Sequence, residues 1–136
     1  MKNTKEKEHY IKLIYKLTEK QEDITVSGLS KALGVTKSSV TNMLKKLVQM
    51  GWVNTAPYKS IELTTKGQQA GIEVLAKHRL IESFLVEIMG FNSDEVHLIA
   101  EELEHVDAPI FFRRVKEMLS QDRKDPHGSI IPEVDF

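Results

Sequence analysis

The stretch EELEHVDAP, residues 101–109, packs Glu101, Glu102, Glu104 and His105 into five positions. Carboxylates and imidazoles are the donors that hold divalent first-row cations. At about 100° per residue, His97, Glu101, Glu104 and His105 fall in one arc of a helix. Val96, Ile99, Leu103 and Val106 take the neighbouring arc, and Glu102 points elsewhere. Upstream, EVLAKHRLIESFL sets His78 and Glu82 four residues apart, again on one helical face.

A solvated acidic face is one reading of the 97–105 stripe, and a cation site is the other. Two carboxylates about 4 Å apart repel by roughly 1 kcal/mol in water and about 4 kcal/mol at the effective dielectric of a protein surface. No lysine or arginine stands three or four residues from Glu101 or Glu104 to relieve that repulsion. An exposed face bears it cheaply. A face beside an apolar stripe, partly covered by another helix, needs a cation or a shared proton.

The elements that must position these groups sit in a chain of 136 residues, 40% apolar and 29% charged, within the range of ordinary globular proteins. No apolar run approaches the roughly 20 residues of a membrane span, and the charged start MKNTKEKEHY is not a secretory signal. There are no cysteines, so disulfides and thiolate metal sites are excluded. Cytoplasm is the expected compartment. The formal net charge of −1 hides an asymmetry: residues 1–70 carry 12 Lys/Arg against 6 Asp/Glu, and residues 71–136 carry 7 against 14. A basic first half suits a polyanion and an acidic second half suits cations, though charge alone does not decide.

In the first half, Tyr10, Ile11, Ile14, Tyr15 and Leu17 have helical spacing. TVSGLSKALGV holds a short helix, with Ser27 as the expected N-cap, Leu29, Ala32 and Leu33 facing inward, and Gly34 at a left-handed C-terminus. Val35 is expected to re-enter the core. Thr36 can cap a second helix that buries Val40, Met43, Leu44 and Leu47 and stops at Gly51. Two helices joined by a tight glycine-containing turn form a helix-turn-helix.

The outer face of the second helix offers Lys37, Ser38, Ser39, Thr41, Asn42, Lys45 and Lys46, and no acid. Short polar groups near a helix N-terminus, followed by lysines, suit base edges and phosphates; with Ser27 and Thr36 they are the candidate DNA contacts. Helix capping alone would explain the Ser/Thr-rich first turn. WVNTA and SIELTT then flank PYK, a hairpin with Tyr58 and Lys59 near its tip, which reads as a wing with Lys59 on the backbone or in the minor groove. A further helix runs from about 68 to 88, and another begins after Ser93 as N-cap. The expected fold class is mainly α with a small β-hairpin wing. A winged helix-turn-helix DNA-binding domain spans 1–70, and a helical metal-binding and dimerisation domain spans 71–136.

Taken together, EHYIKLIYKL, VTKSSVTNMLKKL, LTTKGQQAG, KHRLIESFL, EVHLIAEELEH and DPHGSIIPEVD make the chain resemble the diphtheria toxin repressor family, metal-dependent regulators that include the manganese transport regulators. The resemblance implies a homodimer binding a palindromic double-stranded DNA operator when metal-loaded, and repressing metal uptake. It implies a primary ion held by His9, Glu101, Glu104 and His105, with His78 in the manganese branch. An ancillary site would draw on His78, Glu82 and His97, or in other relatives on Glu82 with Asp125 and His127. Departures are His9, where relatives usually have aspartate or methionine; Lys12, where the manganese branch has glutamate; and Glu101, where iron-sensing members have cysteine. The SH3-like third domain of longer members is not expected.

Carboxylates with imidazoles and no sulfur rank Mn(II) first, Fe(II) second and Zn(II) third. The expected coupling is that an ion taken by His9 and by second-half donors fixes the recognition helices at the half-site spacing of about 34–36 Å. Two rivals stand beside this reading. One is a metal-independent winged-helix regulator. The other is a metallohydrolase, disfavoured because no nucleophile or general base accompanies the carboxylates and no H-E-x-x-H spacing occurs. No catalytic residue is expected.

Overall fold

A computed structural model describes residues 2–119 and 124–136, with side chains from residue 4 onward. Its elements run α1 (Lys2–Glu19), α2 (Val26–Leu33), α3 (Lys37–Gln49), β1 (Val53–Asn54), β2 (Glu62–Leu63), α4 (Thr65–Glu87), α5 (Val96–Leu103) and α6 (Pro109–Met118). The chain divides into two compact units, Met1–Gly71 and Ile72–Phe136, so the boundary falls within α4.

In the first unit α1 buries Tyr10, Ile11 and Ile14, and α3 buries Val40, Met43, Leu44 and Leu47. The α2–α3 turn forms because Gly34 takes φ +66°, a left-handed conformation that costs glycine nothing. Thr36 caps α3, its hydroxyl oxygen accepting the Ser39 N–H at 3.1 Å. Three local expectations are corrected. Thr25, not Ser27, is the α2 N-cap: its Oγ1 accepts the Gly28 N–H at 3.0 Å, and Ser27 lies inside the helix. The cap moves upstream because Ile24, fully buried, is already tied to the hairpin by its carbonyl, which accepts the Ile61 N–H at 2.9 Å. Ala32 is exposed, so Leu29 carries the inner face of α2 with Leu33 half-buried. Val35 is 39% exposed and does not enter the core.

The wing is a two-stranded antiparallel sheet in the register Val53↔Leu63 and Asn54↔Glu62. It is anchored where α4 begins. Thr64 accepts the Gly67 N–H at 3.0 Å, and a Cβ on residue 67 would collide with the Trp52 carbonyl. Only glycine allows that approach.

In the second unit Ile81, Leu85, Val96, Ala100 and Phe112 form one buried cluster, and Leu80, Val115 and Ile131 another. Phe136 packs against both. The C-terminal segment has almost no regular structure and is held by side chains. Arg79 Nη1 donates to the Ile130 carbonyl at 2.6 Å, and Lys116 Nζ to Glu133 at 2.9 Å. The expected Ser93 cap is not found. The turn before α5 closes instead through Glu95, whose Oε1 accepts the Asn92 N–H at 2.9 Å, and α5 starts at Val96. The architecture is a winged helix followed by a helical unit, as the patterning predicts.

Candidate metal centre

Three segments of the second unit converge on Glu82. On α4, His78 lies one turn before Glu82, its Nε2 at 3.4 Å from Glu82 Oε1. On α5, His97 directs Nδ1 to Glu82 Oε2 at 3.6 Å and Nε2 to Glu101 Oε1 at 2.7 Å, the latter one turn along the same helix. From the C-terminal segment, His127 places Nδ1 at 3.7 Å from Glu82 Oε1. Glu82 is only 2% exposed, and its Oε2 has no hydrogen-bond partner among the described residues. A buried carboxylate oxygen without a donor is costly, and three imidazoles around it are the surroundings of a cation ligand.

The electrostatics agree. Burial pushes the Glu82 carboxyl pKa up. The hydrogen bond from His78 and the charges of His78, His127 and His97 outweigh burial and hold it below the ordinary carboxylate value. A group with a depressed folded pKa stabilises the fold above its unfolded value, and that contribution is lost as pH falls through the lower folded value.

A second carboxylate sits deeper. Glu104 caps α5 at 0% exposure; its Oε1 accepts from His78 Nδ1 at 2.6 Å, and its Oε2 lies 3.5 Å from His105 Nε2. His78 therefore spans two carboxylates, Glu82 and Glu104, with its two ring nitrogens. His97 spans Glu82 and Glu101 in the same way. His78 and His97 also meet edge to face, with centroids 4.9 Å apart.

Donor atoms of His78, Glu82 and His97 all lie within 4.8 Å of one another, as do those of Glu82, Asp125 and His127. The residues expected for either version of the ancillary site are thus brought close together, and both groups include Glu82. The Asp125 end is built by local turns: Oδ1 accepts the His127 and Ser129 N–H groups, each at 2.9 Å. Each group combines two buried residues with one exposed histidine, and its carboxylate and imidazole donors fit a divalent cation.

His105 lies past the end of α5, so the 100° arc holds for His97 and Glu101 but a turn positions His105. His9 is half-buried on α1 in the first unit and stays a candidate from the resemblance alone. Lys12 is buried on the same helix, a cation where the manganese branch has a carboxylate. Residues missed in the sequence are Arg79, whose Nε lies 4.0 Å from Asp125 Oδ2, and Ser93, whose carbonyl faces His127 Nε2 at 3.0 Å. Neither has a local signal, because both contacts are long-range.

In the first unit all the expected DNA-facing residues are exposed: Ser27, Thr36, Lys37, Ser38, Ser39, Thr41, Asn42, Lys45, Lys46 and Lys59. Between α2, α3 and the hairpin runs an open groove of about 1200 Å³.

Comparison with known proteins adds the following. The model of the iron-dependent repressor N-terminal DNA-binding domain matches residues 2–61. The model of the iron-dependent repressor metal-binding and dimerisation domain matches residues 64–133. An uncharacterised HTH-type transcriptional regulator of Methanocaldococcus jannaschii is 38% identical over 110 residues, covering 80% of this chain and 88% of that protein. The HTH-type transcriptional regulator MntR of Oceanobacillus iheyensis is 38% identical over 98 residues, covering 72% of this chain and 66% of the relative. A solved manganese-dependent transcriptional repressor in complex with manganese superposes with a TM-score of 0.87 at 32% identity. It matches 94% of this chain, which spans 59% of that protein.

Proposed function

This chain belongs to the iron-dependent repressor family, and we propose from that premise that it is a metal-dependent transcriptional repressor acting as a homodimer on a palindromic DNA operator. The observation that carries the proposal is the convergence on Glu82 in the second unit; the acid-free outer face of α3 in the first supports it. Members of the family are DNA-binding repressors and not enzymes, which removes the hydrolase reading. Among the described residues no helix is long and apolar enough to cross a membrane.

The division of labour is proposed as 1–70 for DNA and 71–136 for metal and dimerisation. Leu98 and Ile110, 74% and 68% exposed, are apolar surface available to a second copy. A bound divalent ion would add positive charge beside these carboxylates. His78, Glu82 and His97, or Glu82, Asp125 and His127, would hold it at one place; Glu101, Glu104 and His105, with His78, would hold it at another. The Glu101–Glu104–His105 set is rich in oxygen and suits Mn(II), while the imidazoles around Glu82 would also accept Fe(II) or Zn(II). Mn(II) is the first choice.

The test is fluorescence anisotropy on an operator selected from random-sequence duplexes with Mn(II)-loaded protein. Binding should tighten by about 5–150-fold when Mn(II) is added to chelated protein, the range of ordinary site-to-site coupling. Equal binding with chelator would select the metal-independent regulator instead.

A pH dependence follows from the donor set. Glu82, held below the ordinary carboxylate value, stays ionised as acid is added, so protons compete with metal at the imidazole ligands, which must be neutral to bind an ion. Log affinity for Mn(II) should fall as pH is lowered, by about one unit per pH unit for each imidazole that takes up a proton, measured by calorimetric titration between pH 5.5 and 7.5. A flat profile would mean that histidines are not ligands.

A further inference from the structure

The hairpin tip is a four-residue turn, Ala56-Pro57-Tyr58-Lys59, closed by the Lys59 N–H donating to the Ala56 carbonyl at 3.2 Å. Proline followed by a residue at positive φ is the pattern of a type II turn, whose third position ordinarily takes glycine or asparagine. Here that position is Tyr58, at φ +62°. A bulky side chain in the left-handed region is strained, and such strain persists where it serves function. The ring recovers nothing from packing, because Tyr58 is fully exposed.

The chain thus holds an aromatic residue where folding alone would choose glycine, and leaves it bare. Its surroundings say what it faces. Tyr58 and Lys59 line the same open groove as Thr25, Ser27, Thr41 and Lys45. One acid, Asp23, lies at the groove's edge. The groove is therefore bounded by α3, through Thr41, Lys45 and Val48, on one side and by the hairpin tip on the other.

We propose that Tyr58 is a DNA contact that sets specificity beside the bases read by α3: its ring lies against the sugar edge of the minor groove next to each half-site. This rests on the reading of the chain as a DNA-binding repressor. The partner chemistry is duplex deoxyribose and base edge, an apolar surface flanked by the phosphates that Lys45 and Lys59 would neutralise. The contact is non-ionic. It contributes affinity without releasing counterions, and its dependence on groove width biases the base pairs flanking the half-site.

The experiment uses the full chain with Mn(II) and a duplex selected from random sequence by the wild-type protein. Tyr58→Gly removes the ring and the backbone strain together. It should raise Kd about tenfold, in the range seen when aromatic contacts to nucleic acid are removed, while the melting temperature stays level or rises. Tyr58→Phe keeps the ring and should bind within about twofold of wild type. The slope of log Kobs against log salt should be unchanged in Tyr58→Gly, whereas Lys59→Ala should shallow it by about 0.9. Reselection with Tyr58→Gly should flatten the preference at flanking positions only. Wild-type affinity in Tyr58→Gly overturns the proposal, as does a loss of affinity that tracks a lowered melting temperature. If the wild-type protein selects no duplex at all, the repressor reading itself fails and the proposal falls with it.

Discussion

Glu82→Gln should weaken Mn(II) binding at the Glu82 cluster by 100-fold or more. The residue is shared by both donor groups, His78/Glu82/His97 and Glu82/Asp125/His127, so one substitution disables each. Removing an outer partner of a metal ligand commonly costs 10–100-fold in affinity, and losing a charged inner ligand costs more. Glutamine keeps the size and one acceptor oxygen but replaces the other with an amide that points donors at the surrounding imidazoles. His97→Ala and His127→Ala each damage one group and spare the other. The variant whose titration matches Glu82→Gln therefore identifies the group that holds the ion. Calorimetry of stripped protein reads all three. A Glu82→Gln titration superimposable on wild type would remove the cluster from the scheme.

How much of this was legible beforehand divides along the range of the interactions. The inward face of α3 was readable because Val40, Met43, Leu44 and Leu47 follow helical spacing, and all four are buried. Gly34 was readable because one left-handed residue has one preferred occupant. His78 with Glu82 was readable as a pair four residues apart. Long-range forces decided the rest. Thr25 caps α2 because the buried Ile24 is bonded to Ile61 of the hairpin, a tie 37 positions away that no local pattern carries.

α6 escaped notice although its start bears proline at a first-turn position and its Phe112 and Val115 are both buried three residues apart. Asp107 is the cap-type residue in EHVDAPIFF, but the N-cap position falls on Ala108, which makes no side-chain cap. The meeting of Glu82 with His97 and His127 was legible only as a list of donors, since three segments build it. Helical periodicity also overreached at His105: α5 ends at Leu103, and the Val106 N–H bonds to the Leu103 carbonyl across a tight turn. What periodicity assigned to a face, a turn places instead.

His105→Ala should leave DNA binding weak and salt-sensitive and abolish its tightening by metal, a loss of the whole 5–150-fold factor. Glu104 is the reason the effect should be large. Its carboxylate is wholly buried, with His78 at 2.6 Å from one oxygen and His105 at 3.5 Å from the other. His78 hydrogen-bonds one oxygen of that carboxylate, and a divalent ion held with the help of His105 would add positive charge beside it. Removing the His105 ring deletes one donor to such an ion and leaves α3 and the hairpin chemically intact. Lys45→Ala is the counterpart, because Lys45 is exposed on α3. It should shallow the salt slope by about 0.9 and leave the metal factor whole. The two substitutions thus carry opposite signatures, one on the ion and one on the phosphates. If His105→Ala still responded to Mn(II) as wild type does, the buried carboxylate would have to be read as a structural hydrogen-bonding group, and sensing would have to lie at the Glu82 cluster.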